Sequence, residues 1–358
     1  TNVIDFIQTA STGNAADFGD LVTNTNGASV TSNSTRCLIS GGYEPGVQYS
    51  NRIQYITPST KGNTQDFGNL TAGCGYPAGM SNNTRVIQSN GNENPNLNSE
   101  MDTMLFASLG NATDFGDLTG PAKYGEAAAS NSVRGVVAGG RDPDASPIYI
   151  NDIDMFNFAS TGSGSDFGDL LQATHYFGGC SDGITALFVN GPQNSSSTQA
   201  IQIMSTGNAT DFNDTTIHSL GSPMAAGNRA IQGGGRTANP GPAVNIIEFF
   251  DIKSRADAVD FGDLTTARLF YGPTADSTNN GGQEVTPSQL GLKRIDRDDD
   301  PLISEDKSIA LFSGGDTGSR SNVIDKVSIT QGGNAVDFGD LSAARNFVGS
   351  TSNQNYLL

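Results

Sequence analysis

DFGDL at Asp17–Leu21 decides the fold, because close copies of this phrase return throughout the chain. It recurs unchanged from Asp114, Asp166, Asp260 and Asp337, and it varies to DFGNL from Asp66 and DFNDT from Asp211. Successive copies start 45 to 52 residues apart, except for the last two, which are 77 apart. A constant period of this size is typical of repeat architectures built from one supersecondary unit. The 358 residues therefore predict one closed array, rather than the two or three domains that length alone would favour.

Each copy of the phrase closes a unit of four short strands, here called strands a to d in chain order. A polar residue lies 15 positions before each leading Asp, and an apolar or alternating run follows it, as in NVIDFIQ from Asn2 and NDIDMFNF from Asn151. This run predicts strand c with one buried face, and the constant spacing predicts a tight c–d hairpin. Upstream, strand b ends in a glycine pair, as at Gly41-Gly42 and Gly139-Gly140, and strand a follows the preceding phrase.

Composition and charge narrow the range of functions. The formal charge is −18, and 13 of the 37 acidic residues lie in the repeated phrase. Such a field repels phosphate, so neither nucleic acid nor an anionic membrane is an expected partner. No apolar run approaches the roughly 18 residues that a membrane-spanning helix needs, so no membrane insertion is expected. Cys37, Cys74 and Cys180 share no position in the repeat, which favours buried thiols over a disulfide framework.

The order of the strands resembles the kelch-type β-propeller blade, in which Gly-Gly closes the second strand and an aromatic-led strand closes the blade. Kelch repeats usually place Trp where this chain has the Phe of DFGDL, and the chain has no Trp. The resemblance implies a single all-β domain over 1–358, a seven-bladed β-propeller of four-stranded antiparallel blades. The expected blades are about 22–70, 71–118, 119–170, 171–214, 215–264, 265–341, and 342–358 together with 1–21. The composite last blade would close the ring and remove exposed sheet edges.

The repeated phrase is interpreted as structural rather than as a ring of seven acidic sites. Phe is expected to pack between blades and Gly to permit a tight bend. Each Asp is expected to accept hydrogen bonds from backbone N–H groups or from a neighbouring Arg. The residues concerned are Asp17, Phe18, Asp66, Phe67, Asp114, Phe115, Asp166, Phe167, Asp211, Phe212, Asp260, Phe261, Asp337 and Phe338.

The longest interval in the repeat places an insertion near 277–306, between strands a and b of the sixth unit. Asp296, Asp298 and Asp300 have the alternate spacing that starts a calcium-binding loop. Pro301, however, stands where the EF-hand needs Gly, and Lys307 stands where it needs Glu. Calcium is therefore a candidate ligand here, beside a solvated acidic loop or a contact with a partner chain, and no other cofactor is expected.

The connections between strands b and c contain the aromatic candidates for a binding surface, Tyr43, Tyr49 and Tyr149. No nucleophile elbow, P-loop or HExxH motif occurs. The two histidines, His175 and His218, belong to different units. The sequence therefore predicts no catalytic residue, and an enzyme is not expected.

Two segments, LGNATDFGDLT at Leu109–Thr119 and STGNATDFNDT at Ser205–Thr215, resemble repeats of virion structural proteins from marine phages, especially cyanophages. The resemblance implies a non-enzymatic capsid decoration, tail or fibre protein that serves as a rigid disc in contact with other virion or assembly proteins and takes part in host attachment. The alternative is a secreted propeller that binds a glycan or receptor on the host surface. Either function implies a location in the virion or outside the cell.

Overall fold

Every regular element that the computed structural model describes is a β-strand. The described residues are 2–8, 16–33, 35–91, 97, 99–189, 196–218, 223–226, 229–238, 241–267, 272–275, 309–317, 319–328, 333–345, 352–353 and 356–357. The expected insertion at 277–306 lies outside them, together with the candidate calcium ligands Asp296, Asp298 and Asp300.

The first half of the chain forms an N-terminal hairpin and three blades. The hairpin consists of β1 (Val3–Gln8) and β2 (Ala16–Asp20). Blade 1 comprises β3 (Ser29–Ser32), β4 (Cys37–Ser40), a short ribbon of β5 (Tyr43–Glu44) and β6 (Gln48–Tyr49), then β7 (Arg52–Ile56) and β8 (Gln65–Asn69). Blade 2 comprises β9 (Gly79–Ser81), β10 (Arg85–Ser89), β11 (Glu100–Leu105) and β12 (Thr113–Asp117). Blade 3 comprises β13 (Ala127–Ser130), β14 (Arg134–Ala138), β15 (Asp152–Asn157) and β16 (Ser165–Asp169).

The second half of the chain forms three more blades and a C-terminal pair of strands. Blade 4 comprises β17 (Gly178–Ser181), β18 (Thr185–Val189), β19 (Ser197–Gln202) and β20 (Thr210–Asp214). Blade 5 comprises β21 (Met224–Ala226), β22 (Arg229–Gly233), β23 (Ile246–Asp251) and β24 (Val259–Asp263). Blade 6 comprises β25 (Gly272–Ala275), β26 (Ile309–Ser313), β27 (Ser321–Ser328) and β28 (Val336–Arg345). The chain continues with β29 (Ser352–Asn353) and β30 (Tyr356–Leu357).

The blades are those of a β-propeller, with four antiparallel strands in the spatial order a, b, c, d. Strands a of neighbouring blades contact one another from β3 round to β25, so they line the centre of the ring, and strands d lie outermost. Because the strands alternate in direction, the a–b and c–d turns lie on one face of the ring, here called the turn face. The b–c and d–a connections lie on the opposite face, here called the loop face.

Six blades are each made of one contiguous stretch of chain, where the sequence predicted seven blades in all. The remaining strands form a four-stranded sheet in the order β2–β1–β30–β29, which combines the two ends of the chain. Its central pairing is short, with Ile7 opposite Leu357 and Gln8 opposite Tyr356. β29 and β30 have two residues each, so this composite sheet is much smaller than the six contiguous blades.

The hydrophobic core lies between blades, and the Phe of each phrase is buried in it. Phe67 of blade 1, for example, clusters with Val86 and Met104 of blade 2. Phe115 of blade 2 clusters with Val137 and Phe156 of blade 3. The side chains point this way because a bulge interrupts each c–d hairpin at the Phe, which leaves it between two paired residues.

In most units the phrase also binds, through its backbone, the c–d turn of the following blade. Phe67 O accepts a hydrogen bond from Gly110 N–H at 2.8 Å, and Asn69 O accepts one from Ala112 N–H at 2.8 Å. Asn111 Oδ1 in turn accepts one from Asn69 N–H at 3.1 Å. We call this arrangement the inter-blade joint. Its first bond recurs from Gly62 to Phe18, Gly162 to Phe115, Gly207 to Phe167 and Gly333 to Phe261.

The inter-blade joint explains why the phrase contains Gly. Gly68 has φ +151°, and a Cβ placed on it would lie 2.3 Å from the carbonyl oxygen of Gly110. Only a residue without a side chain allows two backbones to approach so closely in this conformation. The GNA of one unit and the DFGDL-type phrase of the preceding unit therefore form the two halves of one contact between neighbouring blades.

Candidate ligand-binding site

The ribbon in the b–c connection of blade 1 brings two of the predicted tyrosines together. Tyr43 and Tyr49 are cross-strand partners, and their rings meet edge to face with centroids 6.3 Å apart. Glu44, buried beside them, accepts a hydrogen bond from Ser50 Oγ at 2.7 Å and forms an ion pair with Arg52 at 3.4 Å. These contacts fix the ribbon on the loop face.

Three further tyrosines come from d–a connections and lie directly before the innermost strands of blades 2, 3 and 4. The ring centroid of Tyr176 lies 6.0 Å from that of Tyr76 and 6.0 Å from that of Tyr124. Tyr76 and Tyr176 both have left-handed backbones, with φ of 54° and 49°. Their N–H groups donate to the carbonyl oxygens of Gly27 and Gly125, which holds both rings near the centre of the ring of blades.

The b–c connection of blade 3 completes the cluster with Tyr149 and Arg141. The ring of Tyr149 stacks on His175 with centroids 4.7 Å apart, and His175 lies 4.8 Å from Tyr176. Arg141 Nη1 donates to the hydroxyl of Tyr124 at 2.6 Å. We call the whole group the tyrosine patch, which consists of Tyr43, Tyr49, Tyr76, Tyr124, Arg141, Tyr149, His175 and Tyr176.

The members of the tyrosine patch share one electrostatic environment. Burial raises the pKa of Tyr76, and the neighbouring phenols of Tyr49, Tyr124 and Tyr43 raise it further. Burial also raises the pKa of Tyr176, with smaller contributions from Tyr124 and Tyr76. The phenols of Tyr76 and Tyr176 are therefore neutral donors and acceptors at neutral pH.

Two polar atoms in the tyrosine patch have no hydrogen-bond partner among the described residues. These are Nδ1 of His175 and Nε of Arg141, and both atoms are shielded from solvent. Burial, with the nearby charge of Arg141, lowers the pKa of His175 to about 4, so the imidazole is neutral at pH 7. Unsatisfied buried polar atoms are uncommon in folded proteins, and ordered water, local strain or a bound ligand accounts for them.

The tyrosine patch has a rim and a floor. Tyr43 and Tyr176 are exposed by 39% and 40%, whereas Tyr124 and His175 are buried. Beneath them, Lys123 is fully buried, and its Nζ lies 3.4 Å from Asp154 Oδ2. An exposed aromatic rim above hydrogen-bonding groups is the composition of many ligand sites.

Glu126 lies beside this floor, and neither of its carboxyl oxygens has a hydrogen bond of good geometry among the described residues. Its own backbone N–H and Ser89 are nevertheless close enough to favour the charged form slightly. Burial raises the pKa of Glu126 to about 7, while the charge of Lys123 opposes that rise. Its carboxyl group is therefore partly protonated at neutral pH.

A second repeated polar position lies on strand c, where sequence reasoning did not identify it. Asp102 is fully buried and accepts hydrogen bonds from Thr71 N–H at 2.9 Å and Thr71 Oγ1 at 2.7 Å. Thr71 follows the phrase of the preceding blade, so this bond joins two blades on the loop face. The same bond to the backbone recurs at Gln54, Asp154, Gln199, Glu248 and Asp325. These side chains hold the d–a connections that carry the tyrosines.

The structure places Tyr43, Tyr49 and Tyr149 on one face, but sequence reasoning missed the other five members of the tyrosine patch. One signal for three of them was present, because Tyr76, Tyr124 and Tyr176 each stand ten residues after a leading phrase Asp. Arg141 and His175 carry no repeat signal. Their place in the tyrosine patch depends on the path of individual connections.

The remaining sequence candidates contribute no chemical centre among the described residues. No three His, Cys, Asp or Glu side chains come together there in a way that could hold a metal ion. Cys37, Cys74 and Cys180 are buried and form no disulfide, and burial raises the pKa of Cys37 and Cys180 to about 12. His218 lies in the d–a connection before blade 5, outside the tyrosine patch.

Comparison with known proteins assigns no function to the chain. The fold and the tyrosine patch are therefore the basis for a functional proposal. No protein-family model matches the chain, and no curated protein matches it. Within the described ranges, there is no helix long and apolar enough to cross a lipid bilayer.

Proposed function

We propose that this protein is a non-enzymatic interaction module, a rigid ring that docks on a protein partner through its turn face. The observation that carries this proposal is a set of exposed apolar side chains on that face. Their exposed fractions range from 46% to 64%, and the residues are Leu105, Leu109, Val133, Ile184 and Met204. Clustered apolar side chains on a surface are a mark of protein interfaces.

The a–b turns that carry Val133 and Ile184 are neighbours in space. Asn82 Nδ2 of blade 2 donates to Ser132 O of blade 3 at 3.1 Å, and Asn131 Nδ2 of blade 3 donates to Gly183 O of blade 4 at 3.2 Å. These bonds connect the a–b turns of blades 2, 3 and 4 into one surface. Docking on a preformed surface loses little conformational entropy, which favours a role in assembly.

The partner that we propose is another component of a virion or comparable extracellular assembly. The resemblance of the DFGDL repeats to marine phage virion proteins supports this assignment. The net charge of −18 is compatible with a soluble component that avoids nucleic acid. Within such an assembly, the turn face would contact the particle, as in a capsid decoration, tail or fibre protein, and the loop face would point outward.

The finer architecture in this proposal is a ring of seven blades, with the composite sheet as the seventh. Two observations support it. The N-terminal hairpin contacts β28 of blade 6 on one side. On the other side, Phe18 O and Asp20 O accept hydrogen bonds from Gly62 and Thr64 of blade 1, both at 2.8 Å. The hairpin thus forms with blade 1 the same inter-blade joint that connects the contiguous blades.

A substitution experiment tests the docking proposal. Leu105→Ser, Val133→Ser and Ile184→Ser are combined in one variant, and quantitative mass spectrometry of purified particles measures its incorporation. We expect incorporation to fall at least tenfold, while the thermal unfolding midpoint stays within a few degrees of the wild type because the three side chains are exposed. Tyr43→Ser on the loop face is the control and should incorporate normally. Normal incorporation of the triple variant would refute docking through the turn face.

A second function, binding of a glycan on the host surface, is favoured by the tyrosine patch. This function does not compete with docking, because the tyrosine patch lies on the loop face. A protein that docks through one face and binds a glycan through the other would serve host attachment.

A further inference from the structure

We infer that the tyrosine patch is a binding site for a neutral saccharide. The inference rests on the second proposed function and specifies its ligand by chemical class. It draws on three features of the tyrosine patch, which are the exposed rings, the unpaired polar atoms and the local charges.

The exposed rings supply the surface on which a sugar ring can stack. Tyr176 is exposed by 40% although His175 and Tyr124 pack against it, so its orientation is fixed by neighbours while one side remains open. Tyr43 provides a second exposed ring on the blade 1 ribbon. The faces of aromatic rings carry partial negative charge, which attracts the partly positive C–H groups of a pyranose. Fixed rings lose little entropy on binding.

The unpaired polar atoms match hydroxyl groups. Arg141 Nε–H is a donor without an acceptor, and Nδ1 of the neutral His175 can either accept or donate, according to its tautomer. A sugar hydroxyl both donates and accepts, so one saccharide satisfies groups of either kind once the surrounding side chains shift enough to expose these shielded atoms. The tilted stack of His175 on Tyr176 places such a group beside the exposed ring.

The charges around the tyrosine patch favour a neutral ligand over an ionic one. Lys123 is paired with Asp154, and Arg52 is paired with Glu44, each at 3.4 Å. Asp142 follows Arg141 directly in the chain, and the whole protein has a charge of −18, which repels acidic glycans. A cationic ligand is disfavoured as well, because it would come close to the positive charge of the Arg141 guanidinium.

The protein offers a label-free test, because it has no Trp and six of its nine tyrosines belong to the tyrosine patch. Tyrosine fluorescence therefore reports binding of a saccharide directly. The full chain is titrated with neutral oligosaccharides of glucose, galactose and mannose, and with uronic-acid oligosaccharides of equal length. We expect a saturable change with at least one neutral series and a Kd at least tenfold weaker for the acidic series.

Two variants locate the site, and one variant is the control. Tyr176→Ala should weaken binding about tenfold or more, since it removes the stacking surface. Arg141→Met should weaken binding by a similar factor while leaving the unfolding midpoint near that of the wild type. Ile184→Ser on the turn face should bind like the wild type.

Four outcomes would overturn the inference: no saccharide binding, preference for the acidic series, unchanged binding by both patch variants, or occupation of the tyrosine patch by a protein segment instead. None of these outcomes affects docking through the turn face, since incorporation of the Leu105, Val133 and Ile184 variant is measured separately. If the triple variant fails to incorporate and the wild-type chain binds no saccharide, docking through the turn face stands and only this inference falls. If the triple variant incorporates normally and the wild-type chain binds a saccharide, this inference stands and the docking proposal falls.

Discussion

At the scale of single residues, the glycine of the repeated phrase sets how closely two blades approach. Gly68 and Gly110 face each other across one inter-blade joint, with φ of +151° and +148°. A Cβ on Gly68 would collide with the backbone of Gly110, whereas a Cβ on Gly110 would meet no atom within 4 Å. The two positions therefore share their backbone conformation and differ in the space available for a side chain. Comparing a substitution at each position distinguishes the cost of backbone strain from the cost of steric collision.

We expect Gly68→Ala to destabilise the protein by about 3 kcal/mol or more, because backbone strain and collision add. Gly110→Ala carries the strain without the collision and should cost about 1–2 kcal/mol. Denaturant unfolding measures both free energies. Equal costs for the two variants would show that conformation alone, and not close approach, requires glycine in the phrase.

Glu126 gives a residue-scale prediction about pH. Its pKa is raised from 4.5 to about 7 in the folded protein by burial, against the influence of Lys123 and with a small contribution from Asp154. The folded state therefore holds the proton more tightly than the unfolded state. The resulting contribution favours folding below about pH 4.5 and declines as the pH rises towards 7, by about 3 kcal/mol in total.

Glu126→Gln should remove this pH dependence, because the amide does not titrate. Unfolding free energies measured between pH 4 and 8 should show the variant gaining stability over the wild type as the pH rises. Asp144→Asn, at an exposed position on the same face, serves as the control. A constant difference between Glu126→Gln and the wild type across this range would contradict the assigned pKa.

At the scale of strands and connections, strand c shows how far the sequence predicts the structure and where it stops. The period of the phrase and the alternation of strand c predicted a propeller of four-stranded antiparallel blades, which the structure confirms. Alternation also implied that polar residues on strand c face solvent, yet Asp102 and Asp154 are fully buried. Their hydrogen-bond donors come from the preceding blade. The packing of one blade on the next therefore explains why these buried positions are polar, and a single unit of sequence does not show it. The sequence likewise identified only some members of the tyrosine patch. Arg141 and His175 could not be found from the repeat, because connections of irregular length bring them together.

The bond between Asp102 and Thr71 predicts a difference between two substitutions on strand c. Asp102→Asn keeps an acceptor for Thr71 and should cost less than about 1 kcal/mol, since Gln serves at the same place in Gln54 and Gln199. Asp102→Leu removes the acceptor for both donors of Thr71, which is itself exposed, and should cost about 2 kcal/mol because hydrogen bonds to a carboxylate are among the stronger ones. Urea unfolding distinguishes the two variants. Similar losses would mean that the bond between blades contributes little beyond the volume of the side chain.

At the scale of the whole molecule, the junction between the two ends of the chain decides whether the ring stays closed. The contiguous blades are tied by the inter-blade joint and by the bonds from strand c, whereas among the described residues the composite sheet connects the two ends of the chain through the pairing of β1 with β30. If this sheet closes the ring, then removing 352–358 frees one edge of β1, and free edges pair with other chains. We expect the truncated protein to unfold at least 10 °C lower and to associate, as measured by calorimetry and size-exclusion chromatography. A circular permutant that joins residue 358 to residue 1 through a flexible Gly/Ser linker of about eight residues, and opens the chain at exposed Asp144, keeps every strand and should remain a monomer with nearly the original midpoint. A truncated protein that matches the permutant in both measurements would show that the six contiguous blades hold the ring without help from the C-terminal strands.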